Sequence, residues 1–223
     1  MTSFQTNELF SAGTAEEEAY RHVLGGIRTG RFQPGTRLIP EDIANEIGMS
    51  RMPVREAFRR LSTEGLVLIR PNRGCVVAGL TTEEIYEVFE MRSVLEALAV
   101  RLATSRLTAE AFSELDRLLL RMRRSGQGAD DWVTRHREFH EYLCSFSQRP
   151  KLIRQIAWLH VTIEPYLRIW FHHADKPLSA DEDHRAIIQA LMTGDASVAE
   201  AAVEKHILDT APALAAFVAE SGR

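Results

Sequence analysis

Ile47-Gly48-Met49-Ser50-Arg51-Met52-Pro53-Val54-Arg55-Glu56-Ala57-Phe58-Arg59-Arg60-Leu61 reads as a turn followed by a helix whose two faces differ in chemistry. Gly48 ends the element before it. Ser50 is a good N-cap, and Pro53 is tolerated in the first turn because an N–H there has no helical partner. Val54, Phe58 and Leu61 fall at 4-then-3 spacing and mark the buried stripe of a helix predicted over Arg51 to Thr63. Arg51, Arg55 and Arg59 fall at i, i+4 and i+8 and form one ridge on the opposite face. Gly65 supplies the C-cap.

The flanks complete the unit. Upstream, Thr14 with Glu17 reads as a capping box opening a helix to about Thr29, which Gly30 and Pro34-Gly35 break. Pro40 starts a short helix with Ile43, Ala44 and Ile47 as its stripe. Downstream, Leu66 to Ile69 is β-prone, Pro71-Asn72-Arg73-Gly74 is a turn, and Cys75 to Val77 is a second short strand. Helix, helix, turn, helix, hairpin is a winged helix-turn-helix, expected over residues 14–78, with 1–13 as a flexible N-terminal tail. A recognition helix needs an apolar face docked on its own domain and long donors reaching the major groove. An arginine fork can bridge guanine O6 and N7 or hold phosphates, and Ser50 with the helix N-terminus can donate to a phosphate. Arg73 and Gly74 stand at the wing tip, where a minor groove attracts an arginine and a glycine permits close approach. These six residues, Ser50, Arg51, Arg55, Arg59, Arg73 and Gly74, are the candidate DNA contacts. The bland alternative is a solvated arginine surface paired with Glu56 and Glu64.

Charge follows the same boundary. The chain has 223 residues and a formal net charge of −4, which taken whole speaks against a polyanionic partner. Yet residues 19–78 hold ten arginines and no lysine against five acids, a net of +5. Residues 79–223 carry −5, and residues 1–18 carry −4. A basic module therefore sits on an acidic body. Hydrophobic residues at 45% and charged residues at 26% match a globular chain and exclude a disordered or collagen-like one. Two cysteines, Cys75 and Cys144, are too few for a disulfide framework. No stretch approaches the ~18 uninterrupted apolar residues of a membrane span, and Met1 to Gly13 lacks a signal pattern, so a cytoplasmic protein without a membrane partner is expected.

Beyond a linker at residues 79–81, strand signals stop. Thr81 with Glu84 is a second capping box, and Thr108, Asp130, Ser179 and Asp195 are N-cap candidates. Six amphipathic helices are predicted, over 82–105, 109–125, 131–147, 150–174, 181–193 and 196–220, with Pro165 and Pro212 as kink sites. An antiparallel bundle over 82–220 is the simplest packing. The fold class is thus mainly α.

Four of the eight histidines lie on apolar stripes of this bundle. His136 and His140 are at i and i+4 with Val133 and Leu143; His184 lies with Ile188 and Leu191; His206 lies with Ala199, Ala202 and Val203. Inward imidazoles are costly unless satisfied, either each by its own hydrogen bond or together by a divalent metal. Cys144, at i+4 from His140, reads as a small buried hydrophobe. His160, Trp158, Tyr166 and Trp170 are either cavity lining or core. His172 and His173 read as exposed helix-end residues and His22 as a helix-surface residue.

The winged segment also carries a family motif. Phe32-Gln33-Pro34-Gly35-Thr36-Arg37-Leu38, Ile43-Ala44, the stretch Ile47 to Ala57, Leu61, Glu64-Gly65-Leu66 and Asn72-Arg73-Gly74 resemble the DNA-binding domain of GntR-type bacterial transcription regulators. Residues 82–220 resemble the all-helical FCD effector domain of the same family, in its six-helix, VanR-like branch. The resemblance implies a dimeric, ligand-controlled regulator of a catabolic operon, most often a repressor, and not an enzyme. It implies operator contacts at Arg51, Arg55, Arg73 and Gly74. Where the family often has an arginine, this chain has Glu41. It also implies a metal site: Phe139-His140, Asp183-His184 and His206 match three family ligands, and the step from His184 to His206 matches the family's spacing. The family's acidic ligand is replaced by His136, which leaves the site more positive and favours zinc, nickel or another borderline metal over hard ions. Arg92 and Glu96, at i and i+4, match a family Arg–Glu pattern, in which Arg92 clamps an effector carboxylate or merely pairs with Glu96. The expectation is a homodimer reading a pseudo-palindromic operator under a small organic-acid effector. A metal-responsive regulator is the alternative, and a histidine-ligated metalloenzyme the remoter one.

Overall fold

The computed structural model describes residues 14–70, 74–124, 129–173 and 180–221. They fall into two compact units: one holds the described residues up to Ile27 together with Phe32–Ala78, the other Arg28–Arg31 together with the described residues from Gly79 onward.

The first unit is a winged helix-turn-helix. Its elements are α1 (Ala15–Arg28), β1 (Arg37–Leu38), α2 (Pro40–Glu46), α3 (Arg51–Thr63), β2 (Val67–Arg70) and β3 (Gly74–Val77). Val54, Ala57, Phe58 and Leu61 of α3 are buried, and with Val23, Ile43, Val67 and Val77 they form the core. α3 ends in a Schellman motif: Gly65 N–H donates to Ser62 O, Leu66 N–H donates to Leu61 O, and Gly65 has φ +76°. The cap turns the chain directly into β2. The sheet order is β1-β3-β2, antiparallel, with Val67 opposite Val77 and Arg70 opposite Gly74. The predicted turn at Pro71-Asn72-Arg73 lies outside the described residues.

Three local expectations are corrected. The two-residue β1 was not predicted. It is too short to show alternation, and it exists because Arg37 and Leu38 pair with Val76 and Cys75. Ser50 occupies the N-cap position of α3 with extended backbone, but its side chain makes no capping hydrogen bond. At Thr14, Glu17 N–H donates to Thr14 Oγ1, whereas the Glu17 carboxylate leaves the box to accept from Arg60.

The second unit is a helical bundle: α4 (Thr82–Ala103), a 3-10 turn (Thr104–Arg106), α5 (Ala109–Arg124), α6 (Ala129–Ser145), α7 (Pro150–His173), α8 (Ala180–Met192) and α9 (Ala196–Ser221). α4 opens on a complete capping box, with Glu84 N–H donating to Thr81 Oγ1 and Thr81 N–H donating to Glu84 Oε2. Thr108 and Asp195 cap α5 and α9. Asp130 is not an N-cap, because α6 already begins at Ala129; Ser179 lies outside the described residues. α7 and α9 continue across Pro165 and Pro212. α4 packs along α9 and touches α6 and α7. Phe89, Val100, Phe139, Leu143, Ile163, Ile187 and Val203 fill the space between them. That packing turns one face of α4, α6, α7, α8 and α9 inward, and the buried polar groups lie there.

Candidate functional site

On the first unit, α3 presents the predicted ridge to solvent. Arg51 and Arg59 are exposed and each is paired: Arg51 Nη1 with Glu41 Oε1 at 2.8 Å, Arg59 Nη1 with Glu56 Oε1 at 2.7 Å. Arg55 lies exposed between them. The neighbouring Arg60 is not part of the ridge; it pairs with Glu17 and Glu64 and stacks on Tyr20 at 3.7 Å. A groove of about 440 Å³ runs between α3 and the sheet, with Arg37, Glu41, Arg55, Arg59, Arg70 and Gly74 among the residues of its walls. Gly74 has φ +83°, a conformation L side chains rarely adopt. Arg73 lies outside the described residues. Arg37 and Arg70 were not among the sequence candidates. They reach the groove because strand pairing sets them beside Gly74 and Val76, a register that helical spacing does not reveal.

In the second unit, the four predicted histidines meet. His136 and His140 from α6, His184 from α8 and His206 from α9 each offer a ring nitrogen, and these nitrogens all lie within 4.8 Å of one another. His140 Nε2 and His184 Nε2 are 3.3 Å apart. His136, His140 and His184 are buried. His206 Nδ1 is buried with no hydrogen-bond partner. Zinc–nitrogen bonds of about 2.1 Å in a tetrahedral shell set the ligand atoms about 3.4 Å apart. The His140–His184 pair already has that spacing and the other ring nitrogens lie within 4.8 Å, so ring rotations that draw the rest inward complete a shell, and four imidazoles are the donor set of a borderline divalent ion.

Behind the cluster stands a group that the sequence reading placed only on α4. Glu96 is fully buried. Its Oε2 lies 2.9 Å from His140 Nδ1, and its Oε1 lies 3.2 Å from His160 Nε2 and accepts from Arg92 Nε at 2.9 Å. Burial pushes the Glu96 carboxyl up, but Arg92, His160 and His140 together outweigh it and hold it well below the usual carboxylate range. Burial, followed by the neighbouring imidazoles His140, His184 and His206, pushes His136 well below its ordinary value; burial and then His184 and His140 do the same to His206. Burial and then Arg92 lower His160 to about 4. These imidazoles are therefore neutral at pH 7, the form that ligates. His140 sets Nδ1 beside Glu96 and Nε2 toward the cluster, the arrangement in which an outer carboxylate orients a ligand and raises its basicity.

A small cavity adjoins the cluster. Arg92, His136, His206 and Thr210 supply its polar wall, and Phe89, Trp132, Leu167 and Ile207 its apolar wall. It has room for about one water molecule. Arg92, the predicted effector contact, is therefore at this cavity while also bonded to Glu96. Cys144 is buried with Ala99 and Ile156 and behaves as a hydrophobe. Trp158 and Trp170 pack on the core, whereas His160 belongs to the Glu96 network. His22 is half-buried beside Glu46 at 3.2 Å rather than on an open surface. The side chains of His172 and His173 lie outside the described residues.

Two family profiles match the same two units: bacterial regulatory proteins of the gntR family over residues 15–77, and the FCD domain over residues 87–209. The chain belongs to the GntR family. A probable D-xylose utilization operon transcriptional repressor from Paenarthrobacter nicotinovorans is 31% identical over 94% of this chain and 93% of its own. The Nta operon transcriptional regulator of Aminobacter aminovorans is 32% identical over 79% of this chain and 83% of its own. The solved structure of E. coli McbR/YncC superposes with a TM-score of 0.79 at 25% identity, covering 91% of this chain and 97% of that one. Membership makes this GntR-family chain a transcription regulator with DNA as its partner and an FCD domain as its effector unit; the matched families are regulators, not enzymes. None of its helices, among the described residues, is long and apolar enough to cross a membrane.

Proposed function

We propose that the chain is a ligand-controlled repressor that binds a pseudo-palindromic operator as a homodimer. Its FCD unit holds a divalent metal, zinc first, on His136, His140, His184 and His206, and there anchors a small carboxylate effector. The observation that carries this reading is the four-imidazole cluster opening on a cavity that also contains Arg92. A bound cation supplies a fixed positive charge for an anionic ligand. Arg92 adds guanidinium donors beside it, and Glu96 orients Arg92 and His140 together. On the DNA side, Arg51, Arg55 and Arg59 read base edges or hold phosphates, and Ser50, Arg73 and Gly74 complete the contact set. Ser50, freed from capping, keeps its hydroxyl for a phosphate. Operon control is named for two relatives, one of them as a repressor, and supports repression of an operon here.

Control requires that the effector bind one dimer geometry better than the other. Elemental analysis of untagged protein tests the metal: about one equivalent per chain is expected, and loss of most of it in His140→Ala. A His140→Ala protein with full metal content overturns the ligand assignment. A gel-shift assay with the protein's own promoter tests the DNA half, and binding that is neither sequence-specific nor salt-sensitive refutes it.

One observation favours a second reading. A cavity with room for about one water leaves no space for an organic acid unless its walls move. If the metal itself is the signal, added metal changes operator affinity with no organic acid present. If the metal is an anchor, chelation abolishes the thermal shift that organic acids produce.

A further inference from the structure

We propose that Glu41 and Arg51 read two adjacent base pairs as one unit: Arg51 forks onto a guanine, and Glu41 accepts from the N4 amino group of a cytosine in the neighbouring pair. The inference rests on α3 being the recognition helix and adds a specificity residue to it. Among the described residues, two ion pairs engage the ridge. Arg59 with Glu56 is local, three residues apart on α3. Arg51 with Glu41 is not: it joins the first turn of α2 to the start of α3. The turn between these helices is fixed, because Met49 N–H donates to Ala44 O and Gly48 has φ +66°. Both side chains stay open to a ligand, Arg51 63% exposed and Glu41 42%. Glu41 also lines the groove together with Arg55. A carboxylate thus stands on the face that meets DNA, where phosphates repel it. A surface built only to hold phosphates has no use for it.

The bond between the two uses Arg51 Nη1 and Glu41 Oε1, 2.8 Å apart. It leaves the Nε–Nη2 edge of Arg51, a fork that matches guanine N7 and O6, and it leaves Glu41 Oε2. The separation of 2.8 Å is close to the rise of about 3.4 Å between stacked base pairs, so the two side chains address neighbouring pairs. Arg51, and then the backbone N–H of Glu41 itself, hold the Glu41 carboxyl below the usual carboxylate range, so at pH 7 Oε2 only accepts. In the major groove, guanine offers two acceptors, thymine offers an acceptor and a methyl group, and adenine sets an acceptor beside its amino group. Cytosine alone offers a donor with no acceptor beside it. A lone carboxylate oxygen therefore selects cytosine and is repelled by guanine and thymine. Arg51 neutralises Glu41 in place, which lets the anion enter the groove. On other sequences the same carboxylate faces acceptors or phosphates, a repulsive element that sharpens discrimination.

The test uses the full chain and a pool of random duplex DNA. Sequencing what the wild type retains is expected to give a site with a guanine beside a cytosine, and Arg51→Ala identifies that guanine by losing it. Glu41→Gln keeps the shape and an oxygen for Arg51 but offers the base an amide N–H donor in place of an acceptor. It is expected to keep the guanine and lose the cytosine. Anisotropy competition then compares the selected site with a copy in which that C·G pair is changed to T·A. The wild type is expected to bind the copy roughly tenfold more weakly, the usual effect of one mismatched pair, and Glu41→Gln to bind the two alike or to reverse the order. A wild-type site with no cytosine beside that guanine overturns the proposal and leaves α3 as the recognition helix. So does equal discrimination by both proteins. Loss of guanine and cytosine together in Glu41→Gln also overturns it, since Glu41 would then only position Arg51. A wild type that selects no sequence overturns both the proposal and the operator reading beneath it.

Discussion

Glu96 keeps both carboxylate oxygens out of water among Arg92, His140 and His160, and that arrangement constrains how the cluster can be charged. Imidazole ligands bring no negative charge to a divalent ion, and His136 stands where the resemblance calls for an acid. Glu96 is an anion one imidazole ring away, against His140 Nδ1. Replacing it with glutamine keeps the shape, removes the charge and leaves Arg92 buried without its counter-ion. Glu96→Gln is therefore expected to weaken metal binding roughly 10–100-fold, the usual effect of removing an outer-sphere partner. Competition against a chromophoric chelator measures it, and wild-type affinity in the variant would remove Glu96 from the site. On the DNA side, Arg51 is held by Glu41 in the free protein. An operator must draw it away or accept the pair whole. Arg51→Ala should cost about 1–3 kcal/mol of specific binding if the contact is bidentate to a base. Glu41→Ala removes a carboxylate from a face that meets phosphates and should tighten non-specific binding. Anisotropy titrations on operator and scrambled DNA separate the two effects; equal losses on both sequences for Arg51→Ala would make Arg51 a phosphate contact only.

α3 shows how an element places its functional ridge. Its buried stripe fixes its rotation, and its two ends fix its length. The C-terminal end depends on Gly65, whose left-handed backbone lets Leu66 donate to Leu61 and sends the chain into β2. Gly65→Ala puts a Cβ into that conformation and is expected to cost about 1–2 kcal/mol, read as a lower urea midpoint with an unchanged slope. An unaltered midpoint would mean that the turn relaxes without the cap. The α3 stripe and the Thr81–Glu84 box were legible in the sequence because their partners lie three or four positions apart. So were the four histidines, because each marks its own helix as facing inward. The groups around Glu96 were not. His140 and His160 stand on α6 and α7, far along the chain from Glu96 on α4, and helical periodicity gives a residue's face but not what another helix sets opposite it. β1, Arg37 and Arg70 escaped for the same reason: strand pairing, not local pattern, brings them to the groove. At Ser50 the sequence identified the position but not its use, since a side chain that can cap can also be left free.

At the scale of the whole molecule, a net charge of −4 and a DNA partner are compatible because the charge is segregated. Residues 19–78 carry +5, and at physiological ionic strength exposed charges lose most of their influence beyond a Debye length of about 8 Å. Operator affinity should therefore respond to the local arginines and not to the total. If two copies each bring Arg51, Arg55 and Arg59 to phosphates, the logarithm of affinity should fall against the logarithm of salt with a slope near −5. Contacts from Arg37 and Arg70 in the groove would steepen it, and arginines spent on base edges would make it shallower. Titration of a fluorescent operator between 50 and 200 mM KCl (on the order of a fourfold range) measures that slope. Removing one phosphate-bound arginine per copy should lift it by about 2, since each dimer loses two contacts. Charge reversal of exposed acids on the bundle, such as Glu110→Lys, should leave the slope unchanged. A flat salt response would mean that the ridge on α3 does not engage the DNA backbone, and a slope that followed bundle mutations would mean that total charge, not the basic unit, governs binding.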